Sequence, residues 1–249
     1  KVINYQFFFF IVFLISILIS LNSRAFKTSI FDLLNGFFKH DLSPYEIKNN
    51  EVLLFIRLPR ILLCAFSGAA IAVSGTLIQA LLSNPLASPS LLGTSNGASL
   101  AVILIFFFCG TEINSLWILG SSFLGAIIST LIILLLWQKH HNNFSHQMLT
   151  FGLIWSMFLS GLSSLLISLS LTDHQTSSIM IHWVFGAWKI QTWKTLLFGL
   201  LIIGGNLIFA YNQAQTLNVL ALGEEVASTL GVDLKKLKLK TVIISSCLV

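Results

Sequence analysis

The sequence predicts an all-α fold, a polytopic bundle of transmembrane helices with six complete spans and the start of a seventh. Three observations carry that reading. Hydrophobic residues make up 55% of the 249 residues and charged residues only 9%, whereas a soluble domain carries about 25% charged residues. The mean hydropathy is +0.88. Apolar runs near the roughly 20 residues needed to cross a bilayer recur between short polar connections. A soluble domain of this size would not tolerate 21 Phe with so few charges. The formal net charge of +5 does not point to nucleic acid, because the Lys and Arg residues are scattered between the spans and form no single patch. Cys64, Cys109 and Cys247 lie in or at the end of apolar runs, where a thiol behaves as a small hydrophobe. No CxxC or Cys/His spacing suggests a metal site, no disulfide framework is expected, and no cofactor is expected either.

The first span covers residues 5–21 and opens on four consecutive phenylalanines, Phe7 to Phe10. A signal peptide is the rival, but it lacks a basic segment beyond Lys1 and a small-residue cleavage site, so a retained helix is favoured. Residues 22–56 are a polar connection, with Arg24, Lys27, Asp32, Lys39, Asp41, Glu46, Lys48 and Glu51 among apolar residues at helical spacing. An interfacial amphipathic helix and a solvated loop both fit this pattern. The second to fourth spans cover about 58–82, 92–108 and 116–137. A polar turn with His140, His141 and His146 follows; beside Asn and Lys it reads as a solvated loop rather than a metal site. The fifth span covers about 148–171 and is rich in serine. Residues 179–188 are too short to span and read as a re-entrant or interfacial helix, with Trp183, Trp188 and Trp193 suited to the headgroup region. The sixth span covers about 195–211. Residue 1 is Lys, and the chain stops inside the apolar run 242–249, so a partial chain is expected.

Two stretches carry the functional expectations. Between the second and third spans stands Asn84-Pro85-Leu86-Ala87-Ser88-Pro89. Neither proline can donate a backbone hydrogen bond, and Asn can cap a terminus, so a tight corner forms. Around it, Gly68, Ala72 and Gly75 share one helix face, and Gly93, Gly97 and Ala101 another. Small residues so spaced let helix backbones approach closely in lipid. The other stretch is 218–231, NVLALGEEVASTLG. Leu222, Val226 and Leu230 repeat every four residues. Glu224 and Glu225 favour the N-terminus of a helix dipole, and Gly231 suits a left-handed cap. An amphipathic helix in a loop follows. Its acids would be repelled by anionic lipid, so a protein partner is the better inference than a lipid surface.

RLPR, then SGTLIQALLSNPLASPSLLGTSNGASL, then LALGEEVASTLG, resemble the FecCD-type permeases, the membrane subunits of ATP-driven importers for iron-siderophores, haem and cobalamin. The resemblance runs from about residue 50 to the end. It implies the type II importer fold and a place in the cell membrane, inner or plasma. The expected partners are ATP-binding-cassette ATPase subunits, a periplasmic or lipid-anchored binding protein, a second permease copy and the lipid bilayer. ATP hydrolysis would lie in the separate ATPase, with no catalytic residue here. Leu220, Ala221, Leu222, Gly223, Glu224, Glu225, Ala227, Leu230 and Gly231 would form the helix that couples to the ATPase. Arg57 and Arg60 would dock the binding protein, although anchoring at the headgroups explains them too. Asn84, Pro85, Leu86, Ala87 and Pro89 would lie near the cytoplasmic mouth, as a rigid turn or a partner contact. Asn142, Asn143 and Ser145 would gate a path lined by Met148, Gly152, Ser156 and Ser160, though a packed helix interface would look the same.

Charge alone opposes the implied orientation mildly. With the N-terminus inside, Lys1, Lys139, Lys235, Lys236, Lys238 and Lys240 are cytoplasmic, against Arg24, Lys27, Lys39, Lys48, Arg57, Arg60, Lys189 and Lys194 outside. No GxxxxGK[ST], GxSxG or HExxH motif occurs. The alternative is a secondary transporter or channel without an ATPase. It calls for ionisable residues within spans, and no charged pair lies inside one.

Overall fold

A computed structural model describes residues 2–21, 51–139, 144–186 and 192–249. The described residues fold into α-helices, one 3-10 turn and one π turn, with no strand among them. The helices are α1 (Val2–Leu21), α2 (Leu58–Leu82), α3 (Thr94–Cys109), α4 (Ser115–Lys139), α5 (Phe144–Leu169), α6 (His174–Val184), α7 (Trp193–Leu220), α8 (Glu224–Thr229) and α9 (Leu234–Cys247). Among the described residues four stretches are long and apolar enough to cross a membrane: Leu53–Leu82, Leu116–Leu136, Gln147–Leu169 and Trp193–Leu220. Phe7–Ser20 and Thr94–Cys109 are shorter apolar helices. The chain is therefore an all-α, multi-pass membrane protein. Most of the 22–56 connection lies outside the described residues.

One compact unit comprises Lys1–Phe66 with Lys189–Leu201. In it the second span begins earlier than expected, through a π turn at Leu53–Arg57. Pro59 has no N–H to give the helix. Just before it the Leu58 N–H reaches back five residues to the Leu53 carbonyl, which leaves the Leu54 carbonyl without its usual helical donor. The Trp193 indole donates to that carbonyl at 3.1 Å. Trp193 thus closes a gap in a helix ladder instead of serving only as a headgroup anchor.

The other unit comprises Ser67–Trp188 with Ile202–Val249. Its tightest point is the crossing of α3 and α4. A Cβ on Gly97 would meet the Gly125 carbonyl oxygen at 2.7 Å, and a Cβ on Gly125 would meet that of Ala101 at 2.6 Å. The expected close packing at Gly97 and Ala101 is present. Gly93 is used differently, as the left-handed residue (φ +71°) that turns the chain into α3. Among the described residues a Cβ on Gly68 or Gly75 would meet nothing within 4 Å and Ala72 is exposed, so no described residue packs closely on that small-residue face of α2. Short α6, capped at its N-terminus by Asp173, folds back so that Met180 joins Val102, Ile103, Phe106 and Leu159 in one buried cluster.

Candidate functional site

The corner after α2 is built by the chain's own backbone. Ser83 adopts φ +48°. Its N–H bonds to the Ala80 carbonyl, and the Asn84 N–H to that of Gln79. This pair of bonds closes a helix over one left-handed residue. The Asn84 side chain then accepts from the Leu86 N–H at 2.9 Å. Pro89 begins a 3-10 turn, Pro89–Leu92, so the corner is two turns rather than one. Ala87 is buried and Leu86, at the apex, is 83% exposed.

The sixth span does not stop at Tyr211. Helix α7 continues to Leu220 because Leu217 and Leu220 are buried and Gln213 has a partner in Thr241. The expected helix over 218–231 is thereby cut to α8, Glu224–Thr229. Leu220 belongs to the core, not to a docking face. Gly223 enters α8 at φ +115°, and Gly231 leaves it at φ +84°, with the Val232 N–H on the Ala227 carbonyl and the Gly231 N–H on that of Ser228. Only Ala227 of α8 is buried. Three large apolar side chains here are exposed: Leu222 (67%) in the turn before Gly223, Val226 (43%) on α8 and Leu230 (64%) just past its end.

Ala87 of the corner and Ala227 of α8 belong to one buried cluster with Leu81, Leu82, Leu220, Leu237 and Val242. Glu224 and Glu225 differ in setting. Both oxygens of Glu224 accept from the Lys238 ammonium, at 2.8 and 2.9 Å, whereas Glu225 is exposed. Glu224 is thus bound within the chain. Lys238 escaped the sequence reading because its run, Lys235-Lys236-Leu237-Lys238-Leu239-Lys240, looks uniformly basic. Only the helix register turns Lys238 inward while Lys235, Lys236 and Lys240 remain exposed.

The remaining expected residues separate. Met148 and Gly152 are buried, and a Cβ at Gly152 would strike the backbone of Leu91 and Leu92. Ser156 receives the Asn96 side-chain amide. This side of α5 packs against the 3-10 turn and α3. Ser160 lies on the exposed side. Asn142 and Asn143 lie outside the described residues, as do the side chain of Ser145 and His140, His141 and His146. Arg57 is half-buried at the end of the π turn and Arg60 is exposed in the first turn of α2. Among the described residues no group of three His, Cys, Asp or Glu side chains could hold a metal ion.

These features define a helical membrane protein with a short, outward-facing amphipathic helix at one end. Residues 12–249 match the FecCD transport family, and the chain belongs to that family. It is 35% identical over 202 residues to the hemin transport system permease protein HmuU of Yersinia pestis, across 80% of this chain and 60% of that protein. It is 30% identical over 214 residues to the vitamin B12 import system permease protein BtuC of Vibrio vulnificus, across 84% and 62%. The chain thus spans about three-fifths of the length of these relatives. Among solved structures it resembles an inward-facing metal-chelate-type ABC transporter, with a TM-score of 0.78 and 25% identity over 98% of this chain and 73% of that one.

Proposed function

We propose that this chain is the membrane-spanning permease subunit of a binding-protein-dependent, ATP-driven importer in the cell membrane, and that α8 is the helix its ATPase grips. The observation that carries this is three exposed apolar side chains, Leu222, Val226 and Leu230, on and beside a short helix that lies between two positive-φ glycines. Large apolar side chains on a polar loop are unfavourable in water, and these three fit a groove on a soluble partner. Glu225 and exposed Leu86 at the corner border the same contact. Arg57 and Arg60 take the binding protein, whose carboxylates they can engage in bidentate fashion. A second copy completes the path, and Ser160, with Ser164 and Ser168 on the exposed side of α5, lines it. The cargo class is a metal chelate or corrinoid, as the haem and vitamin B12 relatives suggest. Closure of two ATPase subunits on ATP moves both copies of α8, and the path between the copies changes its open side. The chain itself performs no covalent chemistry.

The test is capture of the ATPase. Tagged permease is expected to recover an ATPase subunit, and Leu222→Asp with Val226→Asp to abolish recovery with no change in thermal unfolding of the permease. Full recovery by that double variant would overturn the assignment of α8.

A further inference from the structure

Helix α9 is tied to three spans by buried side chains. Ser74 of α2 donates to the Ser245 carbonyl at 2.8 Å, and its oxygen lies 2.7 Å from the Ser245 hydroxyl. Thr130 of α4 donates to Ser246 at 2.9 Å. Thr241 donates to Gln213 of α7 at 2.8 Å. One turn below Thr241 on α9, the Lys238 side chain is 6% exposed and grips Glu224, the first residue of α8, which is 50% exposed. The helix offered to the ATPase is thus joined, through one ion pair, to the helix that meets α2, α4 and α7.

We infer that the Glu224–Lys238 pair is a mechanical linkage that transmits displacement of α8 into α9. The inference rests on the docking role of α8. An ion pair buried at its Lys238 end and half exposed at Glu224 is a poor stability device, since the exposed end is screened by water and the buried end costs desolvation. What the ion pair adds is resistance to separation. The apolar contact under α8 is a single methyl group, Ala227, which transmits a push but slides under a pull. Drawing Glu224 away would take its carboxylate from an ammonium ion held in a buried setting, which is costly, so α9 follows α8 in both directions. Lys238 is a positioning residue: it acts on α8 through Glu224.

The test uses the permease assembled with its ATPase in nanodiscs, with Cys64, Cys109 and Cys247 replaced by Ala. Nitroxides are placed on α8 at Thr229→Cys or on α9 at Lys240→Cys, and distances between the two copies are read before and after ATP with vanadate. Lys238→Met keeps the stem and the exposed apolar side chains but removes the ion pair. It is expected to retain the ATPase and the α8 displacement while the α9 displacement falls by more than half. Lys238→Arg is expected to retain both displacements, and Glu224→Lys with Lys238→Glu to restore both. A full α9 displacement in Lys238→Met overturns the linkage and leaves α8 docking intact. If Lys238→Met does not assemble, the charge-reversed pair decides: an α9 displacement supports the linkage and its absence overturns it. An α8 that ATP does not move in the unaltered protein overturns the docking role and the linkage together.

Discussion

The crossing of α3 and α4 and the outer face of α8 solve opposite problems. At the crossing, Gly97 and Gly125 bring two backbones so close that no side chain fits between them. On and beside α8, Leu222, Val226 and Leu230 stand exposed. Close approach of small residues is how helices associate in lipid, where burying a leucine against another helix gains little over leaving it in hydrocarbon. Large apolar residues gain affinity only where water would otherwise touch them. The two regions separate contacts that hold the bundle together from those that, on the function proposed above, await a soluble protein.

The comparison can be broken most severely at the crossing. Gly125→Leu is expected to cost about 3 kcal/mol or more, since the obstacle is backbone rather than a flexible side chain. The measurement is the monodisperse fraction after detergent extraction, expected to fall several-fold. Leu230→Asp on α8 is the contrasting change. It should leave thermal unfolding within about 0.5 kcal/mol of the parent and weaken ATPase capture about tenfold, or about 1.4 kcal/mol of affinity. A lowered melting temperature there would mean that Leu230 holds this chain together after all. The smallest effect concerns the cap of α6. Hydrogen bonding from the Thr176 hydroxyl, and then from the Thr176 and Gln175 amides, holds the Asp173 carboxyl below its ordinary value of 3.8. A group with a depressed folded-state pKa contributes stability above its unfolded value and loses it as pH falls through the folded one. Thr176→Val should therefore be less stable than the parent at neutral pH, with the gap closing below about pH 4, as read by thermal unfolding across pH.

Much of the fold was legible because a bilayer demands long apolar runs, and those runs cannot be hidden. The asparagine–proline corner and the Gly231 cap were legible for a local reason: each depends on backbone chemistry within a few residues. What was not legible depended on a partner far along the chain. Helix α7 outlasts its apolar run because Gln213 meets Thr241, which the hydropathy of residues 212–216 gives no sign of. The inward side of α5 read equally as a path or as a packing face, and only the fold shows that the Leu91 backbone lies against Gly152. Lys238 is one lysine among four in a short basic run. Nothing but the three-dimensional register distinguishes the one that grips Glu224 from those in water.

The hydroxyl contacts along α9 bear on how the molecule is made. Thr241, Ser245 and Ser246 point at other helices rather than at hydrocarbon, so these hydroxyls find their partners only once α2, α4 and α7 stand beside α9. The ribosome delivers those three helices first, and a gene that placed α9 ahead of them would bring its hydroxyls into lipid before the groups they bond.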